Sequence, residues 1–146
     1  IYRARVEATA FGALTIINRF EEYGVEISEV VNCGGISAKN AMLMQIYADV
    51  TGREMKISRP AQTCALGSAI AAAVVGGAFA TFAEAQAAMC GIKSTTFKPI
   101  PENHAVYRRF YGLYRQLHDG FGLQGQPLAM GNVMKELLEI KEKANA

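Results

Sequence analysis

The stretch Glu29-Val-Val-Asn-Cys-Gly-Gly-Ile-Ser-Ala-Lys-Asn40 decides how this chain is read, because a β-branched run stops at two glycines and a helical pattern begins without a spacer. Strand, tight turn and helix follow one another. Such a turn aims backbone N–H groups and a helix N-terminus, carrying roughly half a positive charge, at one spot. An anionic ligand such as a nucleotide phosphate suits that spot.

Working outward, we expect strand one over about Ser28 to Cys33 and a helix over about Ala38 to Thr51, with Ser37 as N-cap and Gly52 closing it. Glu54 to Ser58 reads as a short second strand. Two strands joined by a helix make a right-handed parallel βαβ unit with helices on both faces. Upstream, Val6, Ala10, Ala13, Leu14, Ile17 and Phe20 recur every three or four residues among charged neighbours, which predicts an amphipathic helix from Tyr2 to Tyr23 closed by Gly24. Gly12 inside it points to a closely packed neighbour, since glycine there costs up to about 1 kcal/mol against alanine.

Downstream, Pro60 ends the second strand, and Thr63 to Val75 is a helix rich in small residues that let backbones approach. Thr81 to Met89 is another short helix. Lys93 to Glu102, with Pro99 and Pro101, reads as an extended connection. Val106, Phe110, Leu113, Tyr114, Leu117 and Phe121 mark a helix from Asn103 to Phe121, and Leu128 to Ala146 reads as a solvated C-terminal helix. About two parallel strands are therefore expected in a helix-rich α/β chain.

The 146 residues suit one domain, which we divide into a main part over 1–121 and a helical tail over 122–146. The chain opens on Ile1 with Tyr2-Arg3-Ala4-Arg5 already helical in pattern, and we expect it to be part of something longer. A net charge of +2, from 15 basic and 13 acidic residues spread along the sequence, provides no stripe for nucleic acid. Cys33, Cys64 and Cys90 are widely spaced, which favours small, buried, reduced side chains in a cytoplasmic setting. From Pro60 to Ala83 no residue is charged, but alanines, polar residues and Gly76-Gly77 argue against a membrane span.

Few residues suggest chemistry by themselves. His104 and His118 lie a helix apart and read as surface residues, so neither a metal cluster nor a nucleophilic triad is indicated. Asp49 and Glu54 read as helix-surface or capping groups. Lys39 and Asn40 fall in the first turn of the helix after the glycines, within reach of anything bound there. A lysine is not what a helix N-terminus prefers, by about 0.3–1 kcal/mol, and a local rule broken at a glycine turn hints at function.

Cys33-Gly-Gly-Ile-Ser-Ala-Lys-Asn40, then Met44-Gln-Ile-Tyr-Ala-Asp-Val50, then Gln62-Thr-Cys-Ala-Leu-Gly-Ser-Ala-Ile-Ala71, and a last helix containing Leu113-Tyr-Arg115 occur here in fixed order. Together they resemble the C-terminal domain of the FGGY carbohydrate kinases, over roughly residues 3 to 121. The resemblance implies an actin-like, ribonuclease H-like fold with ATP and sugar held between two domains, ATP and Mg as cofactors, and a pentulose as the substrate met by missing N-terminal sequence. It implies nucleotide contacts from Gly34, Gly35 and Ile36, and an adenine contact from either Lys39 or Asn40. It carries no catalytic residue and no metal ligand onto this chain, so the parent enzyme is expected to transfer phosphoryl and this part alone is not. Two other readings remain open, an actin-like scaffold without chemistry and a helical interaction module whose glycine turn is structural. With so few strands, exposed edges lead us to expect self-association of the part.

Overall fold

The computed structural model describes residues 1–123, 125 and 130–145. Helix α1 spans Tyr2–Glu22, strand β1 Val30–Asn32, helices α2 and α3 Gly35–Lys39 and Ala41–Thr51, and strand β2 Met55–Ser58. Helices α4 and α5 follow over Thr63–Val75 and Phe82–Met89, then strand β3 over Ile92–Phe97, and helices α6 and α7 over Pro101–Gly122 and Val133–Ala144. The strands form one sheet in the order β1-β2-β3. β1 and β2 are parallel, with Val30 opposite Met55 and Asn32 opposite Ile57, so the expected βαβ unit is present.

The third strand corrects the sequence reading. The stretch taken as an extended connection pairs antiparallel with β2, Met55 opposite Phe97 and Ser58 opposite Ile92, with an irregularity between Lys56 and Ser58. Extended it is, but it carries a ladder. The prolines that argued for a connection lie just past the strand, and Pro101 opens α6, where its missing N–H costs nothing.

Helix α3 is the centre of the molecule. Met44 and Ala48 pack with Met55 and Ile57 of the sheet, with Val30 and Phe97 at the margin. Ile46 and Val50, on another side of the helix, join Val6, Ala10, Phe11 and Leu14 of α1 and Tyr107 of α6. A helix apolar on more than one side has to be buried on more than one side, and α3 is sandwiched between sheet and helices. Burying a side chain as completely as Met44 contributes about 1.5–3 kcal/mol.

The ends of these helices are set by glycines, as expected. Gly24 follows α1 and Gly52 closes α3, both with left-handed φ, 81° and 67°. Gly12 differs from expectation: a side chain there would meet nothing within 4 Å. The small residues of α4 are also mostly at the surface, with Ile70 its one buried residue. Likewise Cys33, Cys64 and Cys90 are all exposed thiols, not buried ones.

Helix α7 packs back on α6, with Val133 and Ile140 buried against Leu113. The predicted tail is thus a docked helix over its described part, while its expected start at Leu128 falls outside the described residues. None of the described helices is long and apolar enough to cross a membrane.

Candidate functional site

The glycine turn does not feed one helix, as the sequence suggested, but two. Gly34, with φ +90°, introduces the five-residue α2, and Asn40 then breaks the chain before α3. Ser37 is accordingly not an N-cap. Its side chain is buried, and Oγ donates to the Gly34 carbonyl at 2.9 Å, which locks the turn from beneath. Asn40 caps α3, its Oδ1 accepting from Leu43 N at 3.0 Å. Asn40 Nδ2 donates to the Tyr2 hydroxyl at 2.9 Å, tying the start of α1 to the junction of α2 and α3.

This junction changes the meaning of Lys39. It lies in the last turn of α2, where a cation is the favoured charge, so the conflict inferred from sequence is absent. Its ammonium group is exposed and has no ion-pair partner among the described residues.

Tyr2, Gly35, Ile36, Lys39, Asn40 and Leu43 line one open hollow of about 630 Å³. That lies within the roughly 300–1,000 Å³ of small-molecule sites. Of the residues singled out in the sequence, Gly35, Ile36, Lys39 and Asn40 share its wall, and Gly34 stands next to them as the N-cap of α2. Ile36 is 68% exposed, an apolar side chain left to solvent beside a cation. Tyr2 was missed by sequence reasoning. Its one available signal was position, the first turn of a helix whose core stripe does not include it.

Behind the hollow, the far end of α3 is held by a network that sequence reading had left at the surface. Asp49 is buried, 2% exposed, and its carboxylate accepts from Ile100 N, Asn103 Nδ2 and Gln45 Nε2, each at 2.8 Å. Gln45 also donates to the Lys98 carbonyl, and His104 Nδ1 meets the Asp49 carbonyl at 2.8 Å. His104 is therefore partly buried and structural. Between α1 and α6, Tyr107 donates to Glu7 at 2.8 Å and accepts from Arg3 at 3.0 Å. Burial pushes the Tyr107 phenol up to about 12, with the Glu7 bond adding to the rise and Arg3 opposing it.

The mixed sheet and the central α3, with the hollow at its N-terminal end, form a helix-rich α/β unit of the kind expected for the C-terminal part of an actin-like domain. Residues 1–76 match the family model described as the FGGY family of carbohydrate kinases, C-terminal domain, and the chain belongs to that family. Among curated relatives, "Ribulokinase" of Geobacillus thermodenitrificans (strain NG80-2) is 48% identical over 100% of this chain and 26% of its own length. The fold is shared with xylulose kinase from Rhodospirillum rubrum, TM-score 0.65 and 23% identity over 80% of this chain and 23% of that one. It is also shared with gluconate kinase from Lactobacillus acidophilus, TM-score 0.68 and 17% identity over 84% of this chain and 24% of that one. The chain thus spans about a quarter of the length of the proteins it matches.

Proposed function

We propose that the protein carrying this chain is a sugar kinase that phosphorylates a pentulose, and that this chain supplies part of the nucleotide site. The reaction we assign to the whole protein passes the γ-phosphoryl of ATP to a hydroxyl of L-ribulose, giving ADP and L-ribulose 5-phosphate. The bond between the γ-phosphorus and the β–γ bridging oxygen breaks, a bond from phosphorus to the sugar oxygen forms, and the hydroxyl proton leaves to a base. We place that base in the part of the protein outside this chain. Phosphoryl transfer needs positioning and charge neutralisation more than covalent help from the protein. Identity of 48% through the whole chain supports this reading over other sugars of the family.

The observation that carries the nucleotide assignment is the hollow lined by Gly35, Ile36, Lys39 and Asn40. We assign the Gly34 and Gly35 backbone to the phosphate and ribose end. Lys39 is the residue we place beside adenine, because Asn40 spends its carbonyl oxygen on Leu43 and one amide hydrogen on Tyr2. We assign the ligands of Mg, which such sites hold through one or two carboxylates and the phosphates themselves, to the part of the protein outside this chain. A cytoplasmic setting follows from the metabolic role, with neither nucleic acid nor membrane as partner.

Gly35→Val in the full-length protein tests the assignment. Gly35 opens α2 without a left-handed φ, and an added Cβ there would meet nothing within 4 Å, so the variant is expected to fold with its bulk toward the hollow. The expected result is a rise of tenfold or more in the KM for ATP with little change in that for sugar. Unchanged ATP affinity discards the site.

Among the described residues the sheet ends on two unpaired edges, β1 and β3, and exposed edges template pairing with another copy. We infer that this chain by itself forms a dimer or higher oligomer. Light scattering at high concentration tests it, and a monomer refutes it.

A further inference from the structure

We propose that Tyr2 is a base-contacting, specificity-determining residue of the hollow, presenting its ring as the stacking surface for a purine. This rests on the nucleotide reading given above. Tyr2 stands at the first position of α1, is 61% exposed as a residue, and lines the hollow together with Ile36, which comes from a different element. Tyr107, Tyr111 and Tyr114 are engaged with other rings in and around the core, whereas among the described residues the Tyr2 ring has no aromatic or cationic partner. An unengaged aromatic face and a bare aliphatic side chain on one concave surface are what a flat heteroaromatic ligand requires.

The polar end of Tyr2 is fixed. Its hydroxyl accepts from Asn40 Nδ2 at 2.9 Å across 38 residues of sequence, and Asn40 is itself oriented by its bond to Leu43 N. The brace restricts the tyrosine before any ligand arrives, which lowers the entropy lost on stacking. It also leaves the hydroxyl proton of Tyr2 as a donor toward the hollow. Ring nitrogens of purines are acceptors, and a purine offers Tyr2 a larger π-face than a pyrimidine does. Tyr2 therefore selects purine over pyrimidine nucleotides through stacking area, not through reading of an exocyclic group.

The test uses the full-length kinase with ATP, CTP and inorganic tripolyphosphate, which has no base. Base–aromatic stacking predicts that Tyr2→Ala raises the KM for ATP about 5- to 100-fold. It leaves kcat unchanged, lowers the preference for ATP over CTP, and leaves inhibition by tripolyphosphate as it was. Tyr2→Leu, which keeps bulk without a π-face, behaves like Tyr2→Ala and guards against a folding artefact. Tyr2→Phe keeps the ATP preference within about threefold, since the ring does the selecting. Equal loss for ATP, CTP and tripolyphosphate, or an ATP KM unmoved by Tyr2→Ala and Tyr2→Leu, overturns the inference. If Gly35→Val weakens ATP while Tyr2→Ala does not, only the role of Tyr2 falls; if neither does, the nucleotide site itself falls.

Discussion

The carboxylate of Asp49 accepts the backbone N–H of Ile100, 51 residues later in sequence, at 2.8 Å, and Ile100 is the residue from which α6 begins. One buried acid on α3 thus holds the start of another helix, with Asn103 and Gln45 filling its remaining sites. Replacing it by Asn turns an acceptor into a donor facing donors. Asp49→Asn is expected to cost about 2–3 kcal/mol, the worth of hydrogen bonds to a charged group less what the amide oxygen retains. Urea unfolding with an unchanged slope measures it, and a loss under about 0.5 kcal/mol, the usual surface value, would mean that the network is incidental.

The same network confines Gly52. An added side-chain carbon there would lie 2.7 Å from the His104 ring, which is pinned by its bond to the Asp49 carbonyl. The left-handed φ of 67° adds its own penalty of about 1–2 kcal/mol for any residue with a Cβ. Gly52→Ala is expected to cost more than that backbone term alone. In a double-mutant cycle with His104→Ala, part of the excess is recovered, because the clash is gone while the strain remains. Strict additivity of the two changes would disprove the contact.

How much of this was legible beforehand differs from element to element. Helices α1 and α6, the parallel pair β1 and β2, and the closing glycines Gly24 and Gly52 follow from periodicity and turn chemistry, which are local. Strand β3 was hidden because an extended segment near prolines looks the same whether or not a partner lies beside it; only β2 decides. Asp49 was misread for a related reason. A lone acid in an apolar stripe has no local sign of the donors waiting at Ile100 and Asn103. The hollow was half legible: the glycine turn announced Gly34 and Gly35 and pointed to Lys39 and Asn40 just beyond it, and resemblance added Ile36. Tyr2 reaches it only because α1 folds back over α3, and Asn40 proved to be a cap because the helix breaks at a residue that sequence alone had placed inside it.

Tyr107 makes stability depend on alkaline pH. An ordinary tyrosine titrates near about 10, and burial pushes this one up to about 12, so folding favours the neutral phenol. The stabilisation is present in full below pH about 10 and is lost as pH rises through about 12. Tyr107→Phe, which has no such proton, is expected to start less stable at pH 7 by about 0.5–1.5 kcal/mol, the worth of a hydrogen bond. Its stability then falls less steeply than wild type between pH 10 and 12. Parallel curves for the two proteins in that window would contradict the account.

Asn40 separates a cap from a ligand contact. Because Oδ1 accepts from Leu43 N, Asn40→Ala is expected to cost about 0.5–2 kcal/mol of stability, the usual worth of an N-cap. Asn40→Asp keeps an acceptor at the cap and adds a negative charge where a helix N-terminus favours one, so its stability stays within about 0.5 kcal/mol of wild type. It nevertheless loses the donor that meets the Tyr2 hydroxyl and puts an anion on the wall of the hollow. In the full-length protein, Asn40→Asp should therefore unfold like wild type while its KM for ATP rises. Thermal melts read beside ATP kinetics give the two quantities separately. Were Asn40→Asp to lose stability as Asn40→Ala does, the Leu43 bond would not be the cap that sets where α3 begins.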